Sequence, residues 1–234
     1  MRLRSLTVLG LITLTALSLP GCSNSPSIGT TPASPAAKTG PKDGKDGNQP
    51  QGTPLSSEVL RDRLLDENDL GTGYVRKPEH ESSHDDVTVI GCPALDGLGG
   101  DAAAGGSLDF PRKANATFTY SGGPDSELAE ELYSGTETKL SEGAGKIFGA
   151  MAACPVYQVV IGSTPIKVST QKLQAAQLGD ERWSQLMTFT AGGRDSVMKQ
   201  VAVRTGTVLM VVSGSPGLVD AQVDKALAKA QAVR

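Results

Sequence analysis

The sequence has few aromatic residues, few histidines and no large excess of charge of either sign. It has one Trp, four Tyr, four Phe and two His, and its formal net charge at pH 7 is -3. So few aromatic side chains exclude the extended stacking surfaces on which nucleic-acid bases are held. The near balance of charge excludes a polycation that coats nucleic acid, because neutralising phosphates needs clustered Lys and Arg. We therefore expect no nucleic-acid partner.

The sequence also lacks the motifs of common enzyme classes. It contains no Gly-x-Ser-x-Gly of a serine hydrolase. Ser169 and Lys172 match Ser-x-x-Lys by letter, but the pattern around them predicts a strand, whereas penicillin-recognising enzymes place this Ser at the start of a helix. Residues 97–102 fit Gly-x-Gly-x-x-Ala without the preceding strand that a dinucleotide site needs. We predict no catalytic residue and no cofactor.

The two histidines, His80 and His84, lie with four acidic residues in the segment 79–86. Imidazole and carboxylate groups are ligands for divalent metals. Pro78 and the Ser and Asp content favour a solvated loop instead, so we predict no metal site. An envelope hydrolase would need two convergent carboxylates, for which the acid pairs at 130–131 and 180–181 are candidates, but sequence alone does not show convergence.

The N terminus carries an export and anchoring signal. Arg2 and Arg4 precede an apolar run over residues 6–19, which is shorter than the about 20 residues of a membrane-spanning helix. The run leads into Leu-Pro-Gly-Cys at 19–22, which resembles the lipobox of bacterial lipoproteins. The alternative is an ordinary signal peptide followed by a chance cysteine. We predict that residues 1–21 are a lipoprotein signal peptide and that acylated Cys22 anchors the protein to the outer face of the cell membrane.

A tether and one domain are expected after this anchor. Residues 23–54 are rich in Pro, Gly, Ser and Thr and contain no aromatic residue. Such a segment cannot bury enough apolar surface to offset the entropy lost on ordering, so we predict a disordered tether. Residues 55–234 are numerous enough to form one domain around a single core.

The hydrophobic pattern of residues 55–234 predicts an α+β fold. Helical spacing occurs over 55–67, from 126 to about 154 with a kink or break near Gly143 and Gly145, and after Ser215-Pro216. An alternating pattern predicts strands over 114–121, 156–161, 166–172, 184–190, 196–204 and 207–213. Short connections imply antiparallel neighbours. We expect an antiparallel sheet of about five or six strands with helices packed mainly on one face.

The cysteine count predicts one disulfide. The chain has three cysteines, and lipidation of Cys22 leaves Cys92 and Cys154 in an exported domain, where an even number indicates pairing. The alternative is two free structural thiols. The bond would close a loop of about 60 residues and contribute roughly 4 kcal/mol to stability.

Several short motifs point to a known family. They are Asp-Leu-Gly-Thr-Gly-Tyr at 69–74, Gly-Cys at 91–92, the strand at 114–120, Ala-Ala-Cys-Pro-Val-Tyr at 152–157 and Gln-Leu-Gly-Asp-Glu at 177–181. Together they resemble the PknH-like extracellular sensor domain, which occurs at the outer end of actinobacterial Ser/Thr kinases and in many actinobacterial lipoproteins. The resemblance covers about residues 55–234. It carries no catalytic signature, and the kinase sensor has a second disulfide that this sequence lacks.

The resemblance implies a sheet-and-helix domain with a ligand cleft and a helix end held by a Cys92–Cys154 bond. Asp180 and Trp183 are candidates for the cleft rim, with packing over the sheet as the alternative for Trp183. We expect a non-enzymatic sensor or ligand-binding lipoprotein whose partner is a lipid, a cell-wall fragment or an envelope protein. The alternatives are an envelope protein-interaction or structural lipoprotein and an envelope hydrolase.

Overall fold

The structure, a computed structural model, describes residues 52–78, 87–99, 108, 110–123 and 126–232. These residues form nine strands: β1 (Tyr74–Arg76), β2 (Val87–Ile90), β3 (Lys113–Tyr120), β4 (Glu127–Ser134), β5 (Val156–Ile161), β6 (Thr164–Lys172), β7 (Glu181–Ala191), β8 (Arg194–Thr205) and β9 (Val208–Gly214). They also form five helices: α1 (Ser57–Arg61), α2 (Glu67–Leu70), α3 (Pro93–Asp96), α4 (Glu137–Ala153) and α5 (Pro216–Ala230).

All nine strands belong to one antiparallel sheet. Their order across the sheet is β1-β3-β4-β9-β8-β7-β6-β5-β2. The five strands expected after residue 154 are confirmed, and so is the strand expected at 114–121. The expected total of five or six is too low, because the two edge strands are only three and four residues long and a third strand has a helix-like sequence.

That third strand, β4, corrects the helix that the pattern predicts from residue 126. Leu128 and Leu132 are spaced four apart, which places them on one side of a helix and also on one side of a strand. The structure pairs β4 with β3 on one side and β9 on the other, and α4 begins only after Thr136. Helix α4 is then continuous through Gly143 and Gly145, so no break occurs there.

The helix expected over 55–67 is also shorter than the pattern predicts. Helix α1 ends at Arg61, and the separate helix α2 begins after Asp66. The Asp66 side chain accepts a hydrogen bond from the Asp69 N–H, and the Asp69 side chain accepts one from the Asp66 N–H. This reciprocal cap starts α2 as a separate helix, so α1 does not continue into it.

The helices cover both faces of the sheet, which corrects the expectation of packing mainly on one face. On one face α1, α2 and α5 pack over the sheet in a core that includes Phe118, Leu132 and Met210. On the other face α4 packs in cores that include Phe148 and Leu209. The inner strand β9 is buried over five successive residues, so elements must cover both of its faces.

The α+β class and the disulfide are confirmed. Cys92 and Cys154 are bonded across a sequence separation of 62 residues. Cys92 is the residue before the first turn of α3, and Cys154 is the residue after the last turn of α4. The bond therefore holds the C-terminal end of α4 against the end of the sheet that carries β2 and β5.

Candidate functional site

Helix α4 is attached to the sheet near both of its ends. Towards its N-terminal end, the Ser141 hydroxyl donates a hydrogen bond of 2.8 Å to the carboxylate of Glu181 on β7. At its C-terminal end, the Thr170 hydroxyl of β6 donates to the carbonyl oxygen of Met151 at 2.9 Å, beside the disulfide at Cys154. These attachments hold the helix at a set distance above β6 and β7.

Between the attachments, half-buried Gly145 and exposed Gly149 of α4 border a pocket. Gly145 and Gly149 are four residues apart, so they share one face of the helix. A Cβ atom added at either position would meet no heavy atom within 4 Å. Ala152 continues the same face. The missing side chains leave a pocket of about 150 Å³ between the helix and strands β6 and β7.

One wall of the pocket is aromatic. Phe148 of α4 stacks on Trp183 of β7 with ring centroids 5.8 Å apart and an interplanar angle of 20°. Both residues line the pocket. Trp183 therefore packs against α4 and lines the pocket at the same time, while its role at a ligand cleft stays a prediction. The lining therefore offers aromatic carbon to an apolar group.

The polar residues of the lining are Thr170, Lys172, buried Ser184 and Gln185. The Thr170 hydroxyl is already a donor to the end of α4. The amide nitrogen of Gln185 donates to the side-chain oxygen of buried Gln200 at 2.8 Å. Lys172 is exposed and is the charged residue in the described lining of the pocket.

Asp180 lies outside the pocket lining, in a cluster of charges centred on Arg204. The Asp180 carboxylate accepts a hydrogen bond of 2.8 Å from the Gly206 N–H and lies 3.3 Å from the guanidinium of Arg204. Arg204 also donates to Glu181 at 2.5 Å. The hydrogen bond from this guanidinium holds the pKa of Glu181 below its usual range. Glu181 is therefore a carboxylate at neutral pH and is poorly suited to donate a proton.

The acid pair at 130–131 does not converge. Successive residues of a strand point to opposite faces of the sheet, and Glu130 is fully buried in the core beneath α5. Its Oε2 atom accepts a hydrogen bond of 2.6 Å from the Leu65 N–H. Glu131 lies on the other face, where it accepts a hydrogen bond from the Tyr133 hydroxyl. The two carboxylates face different environments.

Other sequence candidates are separated or lie outside the described residues. Ser169 and Lys172 lie in β6 three residues apart, so their side chains point to opposite faces and cannot act as a pair. Cys22, His80 and His84 fall outside the described residues. Within the described ranges, no group of three or more His, Cys, Asp and Glu is placed to hold a metal ion. No helix of the described part of the chain has the length and apolarity to cross a bilayer.

Sequence reasoning missed most of the pocket. The sequence pattern does not single out Phe148, and it includes Lys172 only within the Ser-x-x-Lys match. The one signal that could have located the site is the spacing of Gly145 and Gly149, because two glycines one turn apart leave one side of a helix without side chains. The strand residues Thr170 and Gln185 carry no such signal, since their approach to α4 depends on the packing of the whole domain.

Comparison with known proteins identifies the fold but assigns the chain to no sequence family. No protein-family model matches the chain, and no curated protein matches it in sequence. Among solved structures, the crystal structure of the extracellular domain of PknH from Mycobacterium tuberculosis superposes with a TM-score of 0.57 at 12% sequence identity. The match covers 76% of this chain and 97% of that domain. The chain therefore has the fold of the PknH extracellular domain.

Proposed function

We propose that this protein is a non-enzymatic, extracytoplasmic lipoprotein that binds an envelope ligand in the pocket beneath α4. Acylated Cys22 anchors the protein to the outer face of the cell membrane, and residues 23–54 act as the tether. The domain from residue 55 onward then works as a sensor or ligand-binding module. The fold shared with the extracellular domain of PknH supports the extracytoplasmic setting.

The observation that carries this proposal is the glycine-lined pocket. Glycine inside a helix is less favourable than alanine by roughly 0.5–1 kcal/mol. Packing does not require glycine at Gly145 or Gly149, because a methyl group at either position would meet open space. A ligand that uses this space would account for both residues. Concave, largely apolar pockets with a few polar groups are the usual form of small-molecule sites.

The charge pattern argues against the hydrolase alternative. Glycoside hydrolysis needs one carboxyl group that holds a proton near a second carboxylate. Asp180 and Glu181 instead share one guanidinium, that of Arg204. This arrangement satisfies charge and fixes the start of β7, so a structural role accounts for both acids.

Native mass spectrometry of the exported protein, purified in detergent, tests the proposal. After incubation with a lipid and cell-wall extract of the producing organism, we expect a discrete added mass. Gly149→Leu should lose the adduct, because its side chain occupies the pocket. Gly217→Leu is the matched control, since Gly217 also lies in a helix with open space around it but away from the pocket. Folded protein without an adduct, or an unchanged adduct on Gly149→Leu, would contradict the proposal.

A protein-interaction role is the second candidate, and an exposed apolar surface favours it. Val156 and Val197 are 53% and 44% exposed. The strand register places them in one row across the sheet, with Ser169 of β6 and Thr188 of β7 between them. Ile90 of the edge strand β2 is 51% exposed and pairs with Gln158, two residues from Val156. Capture of one envelope protein that is lost on Val156→Lys would support this role.

A further inference from the structure

We infer that the pocket beneath α4 takes a ligand with a single six-membered ring and one negative charge, with the ring on Trp183 and the charge on Lys172. This inference rests on the proposed binding function and names the ligand class for the same site. Three features of the pocket support it: its size, its aromatic wall and the one ammonium at its mouth.

The size of the pocket sets the size of the ligand. Its volume of about 150 Å³ is close to that of engineered protein cavities that hold one benzene molecule. Drug-sized ligands need roughly 300–1,000 Å³. A lipid with a complete acyl chain or a multi-ring glycan therefore does not fit inside. One ring fits, with any further group directed through the open side.

The wall of the pocket sets the shape of the ligand. The Phe148 and Trp183 rings are nearly parallel, with centroids 5.8 Å apart at 20° to one another, and both rings line the pocket. Beside Phe148 on the same helix, Gly145 and Gly149 contribute only backbone to the lining. A planar ring can therefore contact aromatic carbon and helix backbone together in this pocket.

The free donor sets the charge of the ligand. Thr170 and Gln185 already donate hydrogen bonds within the protein. Glu181, the nearest acid along β7, is paired with Arg204. Within the described part of the chain, Lys172 forms no ion pair. A carboxylate on the ring would therefore meet one unneutralised ammonium at the mouth of the pocket, in a charge-assisted hydrogen bond.

Three probes of one shape and different charge test this inference: benzoate, benzamide and benzamidine. Trp183 is the single Trp of the chain, so its indole N–H gives one NMR signal that reports on the pocket alone. We titrate each probe into the exported protein in detergent micelles. We expect benzoate to bind about fivefold more tightly than neutral benzamide, the scale of a partly exposed charge pair, and benzamidine to bind most weakly.

Two lysine variants separate the ligand charge from general electrostatics. Lys172→Met should bring benzoate and benzamide to within about twofold of each other. Lys167→Met is the matched control, because Lys167 lies in the same strand on the opposite face, and it should keep the preference for benzoate. Circular dichroism melting of both variants verifies that each remains folded.

The outcomes distinguish this inference from the proposed function. If benzoate and benzamide bind equally and Gly149→Leu abolishes both, the pocket binds a ring but the ligand need not be an anion. This result would overturn the negative charge that we infer for the ligand. A preference for benzoate that survives in Lys172→Met would overturn the role of Lys172. No shift of the Trp183 signal with any probe would overturn the ring-sized ligand, while an extract adduct that depends on Gly149 would still support binding in the pocket.

Discussion

At the scale of single residues, Glu130 has the most unusual environment. Its side chain is fully buried, and although Oε2 accepts the Leu65 N–H, Oε1 has no hydrogen-bond partner among the described residues. Burial raises the pKa of Glu130 to about 8. Among the surrounding charges, Asp69 of α2 raises this pKa further, whereas Lys229 of α5 and Arg76 of β1 lower it. The net result is a carboxyl group that stays largely protonated at neutral pH.

Glu130 should make the stability of the domain depend on pH. In the unfolded chain its pKa is near the ordinary value of 4.5, whereas in the folded protein it is about 8. The folded state therefore binds the extra proton between these values, so the free energy of unfolding falls as pH rises from about 4.5 to about 8. The slope approaches about 1.4 kcal/mol per pH unit. Glu130→Gln should abolish this slope, as measured by urea unfolding across that pH range.

The exposed residue Glu127 of the same strand provides the control for this prediction. It forms a surface ion pair with Lys77 at 2.8 Å, and pairs of this kind contribute little to stability. Glu127→Gln should therefore keep the pH slope of the unsubstituted protein. An equal slope in the Glu130→Gln variant would show that Glu130 does not carry the effect.

At the scale of secondary-structure elements, α4 forms one side of the pocket, and the disulfide fixes the C-terminal end of α4, which stops before Pro155. The bond joins Cys92 and Cys154 over 62 residues of sequence. Closing a loop of this length restricts the unfolded chain, an effect of about 4 kcal/mol in the chain-entropy account. In the folded state the same bond holds the pocket end of α4 at the start of β5.

Replacing both cysteines by serine should lower the free energy of unfolding by about 4 kcal/mol. Amide hydrogen exchange should also increase at the C-terminal end of α4 more than in α5, which the bond does not touch. Urea unfolding and exchange measured by mass spectrometry check both statements. Reduction of the unsubstituted protein is the control, because it breaks the same bond without changing a side chain. A loss below about 1 kcal/mol in both cases would contradict the prediction.

The element that sequence reasoning assigned wrongly, β4, shows where local pattern fails. The segment Ser-Glu-Leu-Ala-Glu-Glu-Leu-Tyr-Ser at 126–134 is rich in strong helix formers. Its two leucines fit either a helix or a strand. Glu130 lies midway between them, so in a strand its side chain points to the same buried face as the leucines. The two neighbouring strands β3 and β9 supply a full ladder of hydrogen bonds on both sides. That tertiary pairing outweighs a local preference of a few tenths of a kcal/mol per residue.

At the scale of the whole molecule, the anchor and the domain should be separable. Cys22→Ala removes the proposed site of acylation, and since each buried CH₂ of an acyl chain contributes about 0.8 kcal/mol to membrane attachment, we expect the protein to leave the membrane fraction. The melting temperature of the domain should not change, because Cys22 precedes the tether. Cell fractionation with an immunoblot measures the first effect. Protein that stays membrane-bound after this substitution would contradict anchoring through Cys22.

The sequence by itself determined the features that depend on local pattern or on counting. Short apolar or alternating segments between turn residues located the strands after residue 154, because both the period of a strand and its flanking turns are local signals. Ser215 and Pro216 located the start of α5, since both are local signals of a helix N terminus. Cysteine arithmetic paired Cys92 with Cys154, because only two cysteines remained to be paired in the domain.

Only the tertiary structure decided the features that depend on distant neighbours. The nine-stranded order of the sheet, the helices on both faces and the strand state of β4 follow from pairing between segments far apart in sequence. The pocket has the same origin. Its two glycines are visible in the sequence, but Trp183 and Lys172 become its wall and its mouth because α4 crosses β6 and β7 at the distance set by Thr170 and the disulfide. Local chemistry specifies an element, whereas packing between elements creates the space where a ligand can bind.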